Sequence, residues 1–294
     1  MKTPVEGIIP SVNYHLWKPC NMRCKFCFAP FHEAGKLLPK GHLPKEQSIE
    51  LVKQLAGFGF KKITFAGGEP TLCPWISELI REAKRWGMTT MIVTNGTKLT
   101  PAFLERNKGQ LDWIILSIDS VVDETNINSG RAITAKKAIS AQSYKELIAL
   151  IKSYGYQLKI NTVVHQMNYN ESMMEVINYA KPQRWKVFQV LPIKGENDEH
   201  INDFVINDTM FDQFIAHHEQ LKEEGIMVTE NNDEMKDSYV MIDPAGRFYT
   251  NKNGMQEYSA PVLETGLETA YQSMNYNYEN FINRGGLYNW NVNQ

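Results

Sequence analysis

The apolar residues of this 294-residue chain alternate between two spacings over its first two thirds. Short strand-like runs are separated by stretches with helical spacing, a pattern typical of a parallel β-sheet covered by helices. Right-handed crossovers curl such a sheet into part or all of a barrel. We predict six strands, at residues 11–17, 62–65, 89–93, 113–117, 157–164 and 185–191.

The predicted helices lie between these strands, at residues 44–57, 74–86, 101–107, 143–154 and 171–180. From about residue 196 the pattern changes to a helix over 208–224 and a hairpin with a turn at 243–246. We therefore predict an α/β fold: a partial (βα)6 barrel over residues 1–195 and a C-terminal extension over 196–294 that completes a ligand site. Active-site residues are expected at the carboxyl ends of the strands.

The composition argues against two classes of partner. The chain has 31 Lys and Arg against 33 Asp and Glu, a net charge of −2. It therefore offers no general polycationic surface for nucleic acid or an anionic membrane. No run approaches the ~18 apolar residues of a transmembrane helix, and residues 1–10 lack the form of a secretory signal. We expect a cytoplasmic monomer that binds neither.

Three of the four cysteines, Cys20, Cys24 and Cys27, are spaced C-x3-C-x2-C directly after the first predicted strand. In a reducing compartment this spacing indicates metal binding or catalysis. Zinc sites usually combine two pairs of ligands, and no second pair follows. Three thiolates suit a [4Fe–4S] cluster whose fourth iron stays open to a small molecule. The alternatives are zinc completed by His15 or His32, or three buried thiols without metal.

The cysteine motif, with Phe26 before its last cysteine, resembles the signature of the radical S-adenosylmethionine (radical SAM) enzymes. In that superfamily, which has a (βα)6 partial barrel, the methionine part of the cofactor chelates the open iron. Gly67, Gly68 and Glu69 are similar to its GGEP segment, whose backbone and carboxylate receive the methionyl amino group. A simple turn is the alternative. We expect the cofactor groove also to include Asn95, Ser117, Gln189 and Leu191, the last two on the sixth strand.

Further motifs, in order along nearly the whole chain, resemble the viperin family. They are SVNYH with Asn13 and His15, NSGR ending at Arg131, KIN at 159–161, RWKVFQ at 184–189, MKDSY at 235–239 and RGG at 284–286. The resemblance implies conversion of a ribonucleoside triphosphate, CTP in animal members, to its 3′-deoxy-3′,4′-didehydro analogue. That product terminates chain synthesis by viral polymerases, and prokaryotic relatives act in phage defence.

The same resemblance assigns substrate contacts. Two asparagines, Asn13 and Asn161, would hold the nucleoside, and the triphosphate would contact Lys62, Arg131, Lys159, Arg184 and Lys186. Guanidinium and ammonium groups are the side chains that hold phosphates. Lys159 and Asn161 are two residues apart on a strand and so share a face. For any one of these cations, a solvated surface charge is the alternative.

The implied reaction begins when an external donor of the flavodoxin or ferredoxin type gives the cluster one electron. The resulting 5′-deoxyadenosyl radical abstracts the ribose H4′, and the 3′-hydroxyl leaves as water. A second electron and a proton complete the product, and we nominate Tyr239 as the catalytic residue for this stage. A buried tyrosine with a satisfied hydroxyl is the alternative for Tyr239.

Two other functions stay open. One is a different radical SAM enzyme acting on RNA or peptide, and the other is a non-catalytic iron–sulfur protein that senses nucleotides. The sequence does not choose among CTP, UTP and GTP, because the segment 26–32 and the loop to Leu43 depart from the animal FCFHTAK segment beside the ligand site. By analogy with the animal enzymes we favour CTP, then UTP.

Overall fold

The computed structural model describes residues 8–252 and 254–291. Most of the segment assessed for a secretory signal, and the last residues of the predicted extension, lie outside this range. Ten strands of the described residues form one sheet: β1 (Ser11–Trp17), β2 (Lys62–Gly67), β3 (Thr89–Thr94), β4 (Trp113–Ser117), β5 (Gln157–Val164), β6 (Arg184–Gln189), β7 (Met227–Glu230), β8 (Val240–Ile242), β9 (Arg247–Lys252) and β10 (Met255–Pro261).

The six predicted strands are confirmed, and β1 to β6 lie side by side in chain order, all parallel. β6 ends at Gln189 and not at Leu191 as predicted, because its pairing with β5 stops where β5 ends, at Val164. Leu191 therefore follows the strand. The described sheet has β10 and β7 at its two edges, so the barrel is partial, as expected.

The described residues also form thirteen α-helices, most of which pack on the outer face of the sheet. They are α1 (His32–Leu37), α2 (Lys45–Phe58), α3 (Ile76–Arg85), α4 (Pro101–Asn107), α5 (Asp123–Asn128), α6 (Ala141–Ser153), α7 (Met174–Ala180), α8 (Asp208–Ala216), α9 (Glu219–Glu223), α10 (Asn232–Met235), α11 (Val262–Thr265), α12 (Leu267–Gln272) and α13 (Tyr278–Asn283). Each predicted helix of the barrel is present within three residues of its predicted bounds.

The main hydrophobic core lies between these helices and the sheet. Alternate residues of β1, such as Val12 and Tyr14, pack outward into it together with Leu51 and Leu55 of α2. Successive side chains of a strand point to opposite faces, so the intervening residues are left to line the inner face. The period of two in the strands therefore decides which side chains can form a site.

The C-terminal extension adds strands to both edges of the barrel sheet. β7 pairs with β6, and β8 pairs with β1, both in parallel. The predicted hairpin is confirmed: β8 and β9 flank a turn in which Asp243 accepts hydrogen bonds from the backbone of Ala245 and Arg247. The division of the chain at residue 196 stays a prediction.

The helix predicted over 208–224 is instead two helices, α8 and α9. They are interrupted at the buried His218, whose Nε2 accepts a hydrogen bond of 2.8 Å from the backbone N–H of Met173. That tertiary contact overrides the helical pattern. Of the helices in the described residues, none is both long enough and apolar enough to cross a membrane.

Candidate active site

One cavity of about 800 Å³ opens on the inner face of the sheet. Its lining alternates along the strands, as in Asn13 and His15 of β1 or Lys159 and Asn161 of β5. All but two of the residues that the sequence assigns to the site line this cavity, and the exceptions are Glu69 and Arg184. The fold thus brings together side chains from nearly the whole length of the chain.

The three motif cysteines lie on the loop between β1 and α1 and line the cavity at the carboxyl ends of the strands. Two glycines hold this loop. A Cβ on Gly68 would overlap the carbonyl oxygens of Lys18 and Pro19, and a Cβ on Gly130 would overlap the carbonyl oxygen of Arg23. The loop is therefore fixed on two sides by backbone that only glycine allows to approach so closely.

Burial raises the pKa of the Cys20 and Cys24 thiols, and that of Cys27 to about 12. A bound metal reverses this tendency, because thiols that coordinate a metal are deprotonated. The fourth cysteine, Cys73, is buried in the main core on the other face of the sheet.

Arg131 lies at the cysteine end of the cavity, and its predicted contact with the triphosphate stays a prediction. Its Nη1 is 3.6 Å from Sγ of Cys24, and its Nη2 donates a hydrogen bond of 2.6 Å to the carbonyl of Ser117. Nε lies 3.1 Å from a carboxylate oxygen of the buried Asp119. The loop that carries the NSGR motif packs against the cysteine loop, which places Arg131 beside the cysteines.

In this structure the carboxylate of Glu69 bonds within the protein, and its predicted role toward the cofactor stays a prediction. The side chain is fully buried and accepts hydrogen bonds from the Thr94 hydroxyl at 2.7 Å and the Asn95 backbone N–H at 2.7 Å. The backbone N–H and hydroxyl of Thr71 also donate to it. Glu69 therefore fixes the end of β3, while Gly67 and Gly68 line the cavity.

Lys62, Lys159 and Lys186 form a buried group of cations, each less than 10% exposed. They lie in the first halves of β2, β5 and β6, away from the carboxyl ends where active-site residues were expected. Burial lowers the pKa of Lys62 and Lys159 well below the usual range, and neighbouring cations add to the effect. Burial also lowers the pKa of Lys186, to about 7, although the negative charge of Glu230 acts to raise it.

Two aromatic residues of the C-terminal segment close this end of the cavity. Nζ of Lys62 lies 4.8 Å from the ring centre of Tyr288 and 4.4 Å from that of Trp290. Arg184 stacks on Tyr288 at 4.5 Å and donates to the carbonyl of Gly285 at 2.8 Å. Arg184 thus packs beneath this segment and does not line the main cavity, and its predicted contact with the triphosphate stays a prediction.

Tyr239 is held between the predicted Lys186 and two charged residues that the sequence did not assign to the site, Glu230 and Arg284. Its hydroxyl accepts a hydrogen bond of 2.7 Å from Nζ of Lys186 and donates one to the carboxylate of Glu230. The guanidinium of Arg284 lies 3.6 Å from the Tyr239 ring centre. Arg284 could have been found through its RGG motif, whereas Glu230 stands alone on a strand that we did not predict.

Other predicted residues line the cavity between these two ends. Asn161 has a buried side-chain oxygen without a hydrogen-bond partner among the described residues. Phe26 stacks on His165 at 4.7 Å, and the Asn95 amide donates to Asn21 at 2.9 Å. Gln189 accepts a hydrogen bond of 3.1 Å from the backbone N–H of Asn232.

Solved structures share this fold. The protein described as "Native anSMEcpe with bound AdoMet" superposes with a TM-score of 0.66 at 13% identity, over 89% of this chain and 80% of that one. The Streptococcus suis protein SuiB bound to S-adenosylmethionine gives 0.60 at 15% identity, over 81% of this chain and 59% of that one. At these identities the likeness extends to the fold alone.

Sequence relatives are much closer. A Lacinutrix mariniflava protein named S-adenosylmethionine-dependent nucleotide dehydratase is 56% identical over all of this chain, which spans 61% of that relative's length. A Flammeovirga pacifica protein of the same name is 54% identical over 97% of both chains. The Danio rerio S-adenosylmethionine-dependent nucleotide dehydratase RSAD2 is 33% identical over 95% of this chain and 78% of its own.

Residues 17–180 also match the Radical SAM superfamily. This range includes the cysteine loop and most of the parallel barrel sheet. The chain therefore belongs to the radical SAM superfamily and, within it, to the viperin family of S-adenosylmethionine-dependent nucleotide dehydratases.

Proposed function

We propose that this protein is a radical SAM enzyme that dehydrates a ribonucleoside triphosphate, CTP before UTP, to the 3′-deoxy-3′,4′-didehydro nucleotide. The observation that carries the proposal is a single cavity with three thiols at one end and buried cations at the other. The names of the relatives support the reaction class. The product would act as a chain terminator in defence against phage.

The thiol end suits a [4Fe–4S] cluster held by Cys20, Cys24 and Cys27. Among the described residues, no three His, Cys, Asp or Glu side chains converge on one metal ion. A cubane cluster does not need such convergence, since each thiolate binds a different iron. The backbone of Gly67 and Gly68 lines the adjoining surface and leaves room for S-adenosylmethionine. With that cofactor bound, the centre supplies a 5′-deoxyadenosyl radical.

The cation end suits a polyphosphate. Lys62, Lys159 and Lys186 converge there with Arg284. Within the part of the chain that the structure describes, Glu230 is the one carboxylate in contact with Lys186 and Arg284. Burying several like charges with one counterion is unfavourable, and an anionic ligand relieves that cost. A triphosphate provides several negative charges in a compact group, so it matches this end better than an uncharged substrate.

The nucleoside would then lie between the phosphates and the cluster. Asn13 and Asn161 line this part of the cavity, and Asn161 is paired in register with Ser117 on one side and Lys186 on the other. This arrangement suits a ribose held between the two ends. A radical that abstracts hydrogen without discrimination requires such positioning, with water excluded.

Tyr239 is the residue that we propose for the last stage. Its phenol lies at the boundary of the cation group and lines the cavity. A phenol can provide both an electron and a proton. With Tyr239→Phe we expect 5′-deoxyadenosine to form while the yield of dehydrated nucleotide falls at least about tenfold. Normal product yield from this variant would exclude the role.

The proposal extends to the surroundings of the enzyme. It needs an external one-electron donor, for which a flavodoxin or ferredoxin is the expected class. Thiols that bind an iron–sulfur cluster must stay reduced, which fits the cytoplasm. We propose that the protein works there as a monomer.

An assay of the anaerobically reconstituted protein tests the proposal. The protein is incubated with S-adenosylmethionine, a reductant and one of CTP, UTP or GTP, and the products are weighed by mass spectrometry. We expect one triphosphate to lose the mass of water as 5′-deoxyadenosine forms. A nucleotide sensor would bind triphosphate without forming 5′-deoxyadenosine, and that result would refute the proposal.

A further inference from the structure

Glu230 is a fully buried carboxylate at the end of β7, and it contacts three residues that line the cavity without lining it itself. It accepts the hydrogen bond from the Tyr239 phenol and forms ion pairs with Nζ of Lys186 and, at 3.4 Å, with Arg284. A lone carboxylate in such a place would be costly unless paired. Here all three partners line the cation end of the cavity.

The Tyr239 hydroxyl has a defined orientation because its two hydrogen bonds have different directions. In its protonated form Lys186 can only donate, so the phenol oxygen accepts from it, and the phenol hydrogen is directed to Glu230. Arg284 fixes the ring from one face. The phenol proton therefore already lies on a path to a carboxylate.

We propose that Glu230 is the positioning residue for Tyr239 and receives the phenol proton when Tyr239 gives up an electron. The inference deepens the proposed dehydration and rests on it. A phenol that loses an electron becomes strongly acidic, so a base already hydrogen-bonded to it allows electron and proton to leave together. Without that base, the transfer leaves an uncompensated positive charge in a site already crowded with cations.

The proposed step balances as follows. After hydrogen abstraction at C4′, the C3′–O bond breaks and the departing hydroxide takes one proton from Nζ of Lys186, giving water. The remaining ribose radical cation takes one electron from Tyr239, which forms the C3′=C4′ double bond. The phenol proton passes to Glu230. The flavodoxin- or ferredoxin-type donor then returns one electron to Tyr239, Glu230 returns its proton, and Lys186 regains a proton from solvent.

This role predicts opposite effects on binding and on product formation. Glu230→Gln keeps the shape of the side chain and can still accept a hydrogen bond, but it cannot hold the proton. Removing its negative charge leaves Lys186 and Arg284 more available to an anion. Triphosphate binding should therefore stay equal or become tighter, while less dehydrated nucleotide forms for each 5′-deoxyadenosine.

The experiment compares wild type, Glu230→Gln, Glu230→Asp and Asp243→Asn. Asp243 is a matched control, because it is a fully buried carboxylate in an ion pair with Arg247 and does not line the cavity. CTP affinity is measured by calorimetry before S-adenosylmethionine is added. Each protein is also prepared with 3-fluorotyrosine at position 239, whose fluorine NMR signal reports the phenol hydrogen bond without turnover. The ratio of dehydrated nucleotide to 5′-deoxyadenosine is measured last.

We expect Glu230→Gln to shift the fluorine signal, to keep CTP affinity and to lower the product ratio at least about tenfold. Glu230→Asp should recover part of that ratio, and Asp243→Asn should leave the signal, the affinity and the ratio unchanged. An unchanged ratio in Glu230→Gln, or a parallel loss of CTP affinity, would overturn the inference while leaving the proposed function intact. If wild type forms no dehydrated nucleotide, the proposed function fails, and this inference with it.

Discussion

Nζ of Lys186 lies 2.7 Å from the phenol oxygen of Tyr239. This contact connects the two tasks that we propose for the cation end of the cavity, which are phosphate binding and completion of the reaction. Lys186 belongs to the group of buried cations, and Tyr239 is the residue proposed to complete the reaction. A change in the charge of Lys186 should therefore affect the phosphate site and the phenol together.

Triphosphate affinity should depend on pH through the buried lysines. Burial lowers the pKa of Lys186 to about 7 in the free protein, and an anion favours its charged form. Binding therefore takes up a proton when the pH is above 7, and affinity should fall by up to about tenfold per pH unit for each proton taken up. Calorimetry with CTP between pH 6 and 9 measures this slope.

Lysine variants identify the source of that slope. Lys186→Met should weaken binding and flatten the dependence above pH 7. Lys145→Met provides the control, since Lys145 forms an ion pair with Glu175 on the helical surface and does not line the cavity. If wild-type affinity is the same at pH 7 and pH 9, the buried cations do not hold the phosphates.

The four cysteines should separate into two kinds. Cys24→Ala removes one thiol from the cavity lining, so reconstituted protein should lose the brown absorbance and most of its iron. Cys73→Ala removes a thiol from the main core, so it should keep full iron while losing about 1 kcal/mol of unfolding free energy. Iron and sulfide analysis with urea unfolding checks both. Equal iron loss in the two variants would contradict the assignment.

Gly68→Ala should disrupt the cysteine loop, although Gly68 lies on a different segment, directly after β2. The new Cβ would overlap the carbonyl oxygens of Lys18 and Pro19, just before Cys20. We expect a loss of about 1–3 kcal/mol in unfolding free energy and a lower iron content after reconstitution.

Gly57→Ala is the control for this substitution. A Cβ at Gly57, near the end of α2, has no neighbouring atom within 4 Å. This variant should be about 0.5–1 kcal/mol more stable, because alanine favours the helix. Full iron binding by Gly68→Ala would show that the glycine contact does not position the cysteines.

The sequence was sufficient to predict the six barrel strands and the cysteine end of the cavity. The strand predictions follow from alternation within short segments, and the three cysteines are close neighbours in the chain. Both are local properties. Gly67 and Gly68 of the GGEP segment line the cavity, while the Glu69 carboxylate accepts hydrogen bonds within the protein.

The sequence was less informative where contacts span long distances along the chain. The resemblance assigns Arg131 to the triphosphate together with the lysines, but the sequence does not show its contact with Cys24 of the cysteine loop. Glu230 could not be recognised, because a single acidic residue gains meaning only when β7 joins β6 beside Tyr239. Arg184 is covered by the segment around Tyr288, which no local pattern predicts.

The most direct test of the central claim follows one hydrogen atom. CTP, or whichever triphosphate loses water in the assay, is labelled with deuterium at C4′ and incubated with the reconstituted protein, S-adenosylmethionine and a reductant. We predict that 5′-deoxyadenosine gains one deuterium as the nucleotide loses the label and the mass of water. Protein that stays colourless or binds zinc, or 5′-deoxyadenosine that carries no deuterium, would contradict the account.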